Sequence, residues 1–348
     1  MPECAKIKSE VRNEAEQPCR QTDAAADMGG NDRFMKKVVL LEPLGIPGSE
    51  LVAMVKDAVG GRAEVVYYDS RKEDIPTLIE RSRDADAVVL SNFRYPGEVM
   101  AACPHLEYVN VAFTGYDHVD MAYCREKGIK VSNCAGYSTS AVADLVFGMV
   151  ISLCRRIIEC DKAVRSGGTK AGLVGPELEG LTFGVIGTGA IGSRVAAIAQ
   201  AFGCNVIAYS RTKKDLPGVS YMSLDEVMAK SDIISLHVPQ NAETTGMISA
   251  EKIGLMKKSA ILINCARGPI VDAEALAQAL NSGAIAGAGI DVFAAEPPLD
   301  PDDPLLHAKN TVCTPHVAFA STQAMYKRAK IVCENLKGWL DGEMKNLV

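Results

Sequence analysis

A G-x-G-x-x-G turn, Gly187-Thr188-Gly189-Ala190-Ile191-Gly192, narrows the possible folds of this chain more than any other stretch. It follows the apolar run TFGVIG at 182–187 and precedes a helical pattern that includes 194–201. Strand, glycine turn and helix in that order open a βαβ unit, and the context matters more than the glycines themselves. Gly187 permits the tight turn, Gly189 lets the backbone approach a pyrophosphate, and Gly192 allows the helix to pack closely on the strand. The free N–H groups and partial positive charge at the helix start then face the phosphates. Gly187, Gly189, Ala190, Ile191 and Gly192 are therefore expected to contact a dinucleotide.

Short apolar runs alternate with longer helical patterns along the rest of the chain. A first series of strand-like runs lies at 38–41, 65–67, 87–90, 108–111 and 129–132, with amphipathic stretches at 51–59 and 75–83 between them. A second series lies at 182–187, 205–209, 232–237, 260–265, 286–292 and 311–315, separated by helical stretches that include 194–201, 224–229 and 273–281. Such alternation predicts parallel sheets covered on both faces, and 348 residues hold two domains of ordinary size. The expected fold class is α/β, with two doubly wound parallel-sheet domains. One long helix is expected between the two series, from 139 to about 165, with Ser138 or Thr139 as N-cap and Gly167-Gly168 at its end. A last helix is expected from about 321 to 340. Residues 1–34 are polar, show no period, and read as a disordered tail.

Composition excludes several function classes. A net charge of −6 offers no general attraction to nucleic acid or to anionic lipid, so an anionic ligand needs local cations. The longest apolar run, 145–154, is about half of a membrane span, and no signal-peptide pattern stands at the N-terminus. Eleven dispersed cysteines without a CxxC pair, and five histidines without ligand spacing, predict a reduced cytoplasmic protein with no metal.

The end of the second strand of the dinucleotide unit reads Ala208-Tyr209-Ser210-Arg211-Thr212-Lys213-Lys214. An NAD site usually carries a carboxylate there for the ribose hydroxyls. Ser210 takes that position instead; it cannot repel a 2′-phosphate, and Arg211 can stack on adenine or grip the phosphate. The reading favours NADP(H) over NAD, with Ser210, Arg211 and Thr212 as contacts; a solvated basic loop is the other reading of these charges.

Three segments close later strands: Asn264-Cys265-Ala266-Arg267-Gly268, then Asp291-Val292-Phe293-Ala294-Ala295-Glu296-Pro297, then Thr314-Pro315-His316-Val317. Ligands of open α/β sheets bind beyond the carboxyl ends of strands, so Arg267, Glu296 and His316 can converge. Each alone also fits a structural part, as a strand-end cap, an exposed loop carboxylate or a satisfied loop histidine. Jointly they point to chemistry.

Together with the glycine turn, these segments resemble the D-isomer-specific 2-hydroxyacid dehydrogenase family. The resemblance runs from about Lys37 to the C-terminus and takes in Ala112-Phe113-Thr114-Gly115-Tyr116-Asp117-His118-Val119-Asp120 and the stretch 133–153. It implies a Rossmann cofactor domain at 133–316 inserted into a flavodoxin-like substrate domain at 35–132 and 317–348. It also implies hydride transfer between NAD(P)H and a small 2-keto acid, such as glyoxylate, hydroxypyruvate, pyruvate or a bulkier one, to give the D-2-hydroxy acid. Arg267, Glu296 and His316 would be catalytic: the imidazole as acid–base, the carboxylate as its partner, the guanidinium on the substrate carboxylate. Phe93, Thr114 and Gly115 would join Arg267 in binding substrate. Val238, Pro239, Thr244, Cys265, Ala266 and Asp291 would contact cofactor, Asp291 at the nicotinamide carboxamide. The stretch 138–165 would hold the crossing helix and much of a homodimer contact.

Two departures stand out: Asp144 where many relatives carry glutamate, and GGTKAGL at 167–173 where relatives often place an aromatic. A formate dehydrogenase of the same superfamily would carry glutamine in place of Glu296. A dinucleotide-sensing scaffold or corepressor of the same fold remains the alternative, and turnover separates it from an enzyme.

Overall fold

The computed structural model describes residues 35–295 and 298–348. Five parallel strands form the first sheet: β1 (Lys36–Leu40), β2 (Ala63–Tyr67), β3 (Ala87–Leu90), β4 (Tyr108–Val111) and β5 (Lys130–Ser132), in the order β2-β1-β3-β4-β5. Seven parallel strands form the second: β6 (Thr182–Ile186), β7 (Asn205–Tyr209), β8 (Val219–Tyr221), β9 (Ile233–Leu236), β10 (Ile261–Asn264), β11 (Gly287–Ile290) and β12 (Thr311–Cys313). Their order is β12-β11-β10-β9-β6-β7-β8. The order in which the chain adds strands reverses between β6 and β9, which places a crevice beyond their carboxyl ends.

Every strand read from an apolar run is present, and the inner strands show why: burial on both faces favours continuous apolar runs. All four residues of β3, β9 and β10 are buried. β8 was not expected; it is a three-residue edge strand with no buried residue, so its sequence carries no apolar signature.

The expected long helix is two helices, Thr139–Cys154 and Ile157–Arg165. Arg156 turns left-handed at φ 51°, and its Nη1 donates to the Gly172 carbonyl at 2.6 Å. The returning chain at Gly175 lies directly on the Cys154 carbonyl, where the next helical turn would run, and any side chain at 175 would collide with it. That crossing ends the first helix.

Helix Thr322–Asp341, capped by Ser321 on the Ala324 N–H, returns to the first sheet. Ala324, Ala329, Val332, Leu336 and Trp339 join that core, and Trp339 stacks on Tyr108 with centroids 5.5 Å apart. The second sheet is thus inserted within the chain of the first lobe. Helix Thr139–Cys154 covers one face of the second sheet, with Val142, Val146 and Met149 packed among Phe183, Ile261 and Ile263. Leu262, Ile234, Leu276 and Leu280 fill the opposite face. Among the described residues no helix is long and apolar enough to cross a membrane.

Candidate active site

Gly187 follows β6 at φ 96°, a left-handed conformation, with the His237 carbonyl 2.7 Å from where a Cβ would stand. Gly192 lies so close to Gly187 that a Cβ would collide with its carbonyl. At Gly189, by contrast, a Cβ would meet nothing within 4 Å. Helix Ala190–Ala201 starts here with no side chain as cap, so its first N–H groups open onto that space. The backbone is a cradle of the right shape and polarity for a pyrophosphate, and the residues fit a dinucleotide. Enclosure by protein pulls the His237 imidazole beneath the turn down to about 3, which keeps it neutral.

Ser210 stands beside the turn, its Oγ 3.5 Å from the Thr188 N–H. The basic loop after it is tied to the same place: Tyr221 Oη accepts from the Lys214 N–H at 3.0 Å and donates to Thr188 Oγ1 at 3.1 Å. Arg211 reaches Glu243 at 3.0 Å, with side chains 80% and 71% exposed, so water screens the pair heavily. Val238 is half-buried and Pro239 exposed on the loop after β9. Thr244 shapes that loop from inside, donating to the Pro239 carbonyl at 2.6 Å and accepting from the Asn241 N–H at 2.9 Å.

Arg267 leaves the end of β10 on a loop closed by Asn264, which receives the Ala266 N–H at 3.0 Å and donates to the Arg267 carbonyl at 3.0 Å. Its guanidinium crosses to the first lobe with Nη2 pointing at Gly115, where any Cβ would collide with it. Nη2 is 3.3 Å from Asp117 Oδ1. The Thr114-Gly115 turn follows β4, and Asn133 Nδ2 holds the Thr114 carbonyl at 2.7 Å. Among the described residues the amide N–H groups of Thr114 and Gly115 have no hydrogen-bond partner. Thr114 Oγ1 and His118 Nε2 are buried beside them, also without a partner among the described residues. Enclosure brings the His118 ring down to about 4, opposed by Asp117 and aided by Arg267.

His316 follows β12 in a left-handed conformation, φ 53°, which is uncommon for a residue with a Cβ. Asp291, past the end of β11, imposes it. Its carbonyl accepts the His316 N–H at 2.8 Å, and its fully buried carboxylate accepts from Thr314 Oγ1 at 2.5 Å, Val317 N at 2.8 Å and Ala318 N at 2.9 Å. Burial pushes this carboxyl up, and those bonds pull it back. The imidazole stands edge-on to Phe113 (5.7 Å) and Phe319 (5.6 Å), and Phe113 in turn lies 5.7 Å below the Arg267 guanidinium. Ends of strands from both sheets thus bring Arg267, the Thr114-Gly115 turn and His316 around one aromatic ring.

Two expected contact residues are packed on their own lobes' interiors. Phe93 is buried in the first core with the Arg71 guanidinium 5.5 Å over its ring. The Cys265 thiol packs 3.9 Å from Met149 Sδ, and burial raises it well above the ordinary range. Glu296 lies outside the described residues, as does the 1–34 tail. Asp117, Asn133, Tyr221 and Phe319 were not singled out from sequence as site residues; only Asp117, inside the 112–120 motif, and Asn133, opening the 133–153 stretch, offered a signal.

Residues 147–318 match the model of the D-isomer specific 2-hydroxyacid dehydrogenase, NAD binding domain. A glyoxylate reductase of Thermofilum pendens is 37% identical over 323 residues, covering 88% of this chain and 92% of the relative. A hydroxypyruvate reductase of Blautia hydrogenotrophica is 34% identical, covering 90% and 99%. The chain belongs to the D-isomer specific 2-hydroxyacid dehydrogenase family. Among solved structures, an acyclic imino acid reductase (Bsp5) in complex with NADPH and D-Arg matches with TM-score 0.82 at 30% identity, covering 90% of this chain and 99% of that one. D-lactate dehydrogenase from Aquifex aeolicus with NAD and lactic acid matches at 0.79 and 31%, with the same coverage. This D-isomer specific 2-hydroxyacid dehydrogenase is an oxidoreductase that uses a nicotinamide dinucleotide to interconvert a small 2-keto acid and its D-2-hydroxy acid.

Proposed function

We propose that this dehydrogenase reduces glyoxylate or hydroxypyruvate, with NADPH as the preferred donor and His316 as the proton donor. One observation carries the assignment of roles: the His316 imidazole and the Arg267 guanidinium flank the same Phe113 ring at 5.7 Å each, beside a turn whose amides are open. When bound, the nicotinamide supplies the hydride to the ketone carbon. Arg267 and the Thr114 and Gly115 amides hold the substrate carboxylate. As the carbonyl oxygen gains negative charge, His316 passes its proton to it, a contribution of roughly 10²–10⁴-fold. From sequence, Glu296 is the carboxylate partner that orients the imidazole. Phe113 and Phe319 orient the ring and exclude water from its edges.

The relatives that reduce glyoxylate and hydroxypyruvate support the substrate choice. Ser210 at the carboxylate position, and a basic loop tethered to Thr188 through Tyr221, support NADPH. We also assign lobe limits at 35–132 with 317–348 and at 133–316. A homodimer is supported by the helix Ile157–Arg165, which buries none of its residues, and by Ile157, Val164 and Val174, which are 47%, 74% and 88% exposed. Nine described cysteines, all free, suit the reducing cytoplasm.

The test is NADPH oxidation at saturating cofactor with glyoxylate, hydroxypyruvate and pyruvate, followed by His316→Ala. The variant is expected to lose turnover by roughly 10²-fold or more while binding NADPH as before. Absence of turnover with all three acids defeats the reading, and parallel loss of cofactor affinity makes His316 a structural residue.

A further inference from the structure

We propose that Asp117 is a positioning residue for the substrate: from the opposite lobe it fixes the rotation of the Arg267 guanidinium, so that the outer pair of N–H groups faces the substrate carboxylate. The proposal rests on the reading of Arg267 as the carboxylate-binding residue.

Arginine presents N–H donors in a rigid planar fork, about five in all. Nε and Nη2 of Arg267 stand 3.4 and 3.3 Å from the same oxygen, Oδ1 of Asp117, so one carboxylate oxygen bridges the side edge of the plane. Nη1 donates to the Ala266 carbonyl at 2.9 Å. With the Cδ-side hydrogen of Nη1 on the Ala266 carbonyl, the donors left over are one on each terminal nitrogen. They lie parallel along the outer edge, the spacing that matches the two oxygens of a carboxylate. A substrate arriving there has no need to displace Asp117, since the two anions take different edges of one cation.

The partners are 150 positions apart in sequence and come from different lobes, so the pair spans the cleft that the substrate enters. Gly115 makes the arrangement possible. A Cβ there would collide with Nη2 and come within 2.9 Å of Asp117 Oδ1, so the ion pair packs against the substrate turn because nothing projects from it. The side chains are 20% and 37% exposed, for Arg267 and Asp117 respectively. A pair this wet contributes little to stability. Its effect belongs in ligand geometry, where the direction of a rigid fork decides whether one or two bonds form.

The experiment compares wild type with Asp117→Asn, which keeps size and loses charge, Asp117→Ala, and Arg267→Gln. Readouts are KM and kcat for glyoxylate, the Kd of oxamate on the NADPH-loaded enzyme, the Kd of NADPH, and Tm. In both Asp117 variants we expect KM and the oxamate Kd to rise about tenfold, as for loss of a charge-assisted contact. The NADPH Kd and Tm stay at wild-type values, and kcat changes several-fold less than KM. Unchanged KM and oxamate affinity in both variants overturns the proposal, as does a parallel loss of NADPH affinity or Tm, which would mark Asp117 as structural. Arg267→Gln separates the two levels. If it raises KM while the Asp117 variants do not, only the positioning role fails; if it leaves KM unchanged, the carboxylate reading fails and the positioning role with it.

Discussion

Gly192 in the second lobe sits against the Gly187 carbonyl with no room for a single methyl group, whereas the Thr114-Gly115 turn of the first lobe hangs from the carboxamide of Asn133, 2.7 Å from the Thr114 carbonyl. The cofactor turn is shaped by backbone against backbone. The substrate turn is shaped by polar side chains brought from afar: Asn335 Nδ2 donates to the Asn133 carbonyl at 3.0 Å and to Asn110 Oδ1 at 3.1 Å, and Asn346 Nδ2 donates to Asn335 Oδ1 at 2.8 Å. A backbone cradle suits a ligand that never changes, because no rotamer can spoil it. Side-chain suspension suits a site whose ligand differs between relatives, because single substitutions can retune it without disturbing the sheet.

Three substitutions bear on this contrast. Gly192→Ala should have the largest effect: with no side chain able to give way, the helix start must move, and the Kd for NADPH by fluorescence titration should rise by about 100-fold or more. Near-normal binding would mean the cradle is as adjustable as the substrate turn, and the contrast would collapse. Asn133→Ala should act on the other turn alone. It leaves the Thr114 carbonyl without its donor, a loss of about 1–3 kcal/mol, so KM for the keto acid should rise roughly tenfold while NADPH affinity holds. A matching loss of NADPH affinity would show that the two turns are one mechanical unit. Arg211→Ala should be the mildest. Its exposed side chain should cost NADPH about three- to fivefold in affinity and NADH almost nothing, and equal effects on the two cofactors would remove the case for NADPH.

The two turns also differ in how far they could be read in advance. The glycine turn depends on residues within six positions of one another, so its spacing, the strand before it and the helix after it were all legible. The strands were legible for the same reason, since burial on both faces leaves continuous apolar runs such as AVVL at 87–90. β8 was missed because a half-exposed edge strand needs no such run. The break at Arg156 was missed because its cause, the chain at Gly175, arrives nearly twenty positions later. Arg267 and His316 were legible as residues beyond strand ends; Asp117 and Asn133 were marked only by lying in the 112–120 and 133–153 stretches, and nothing pointed to Phe319 as a support.

Local order was therefore decided by the sequence alone: apolar periodicity sets strands and helices, and glycine sets the one backbone path that admits a pyrophosphate. The meeting of Arg267 with Gly115 and Asp117, and of His316 with Phe113, was decided by the return of helix Thr322–Asp341 to the first sheet and by the facing of two sets of strand ends. Contacts between residues 150 or more positions apart leave no periodic trace, because they depend on where whole elements pack and not on what stands next in the chain.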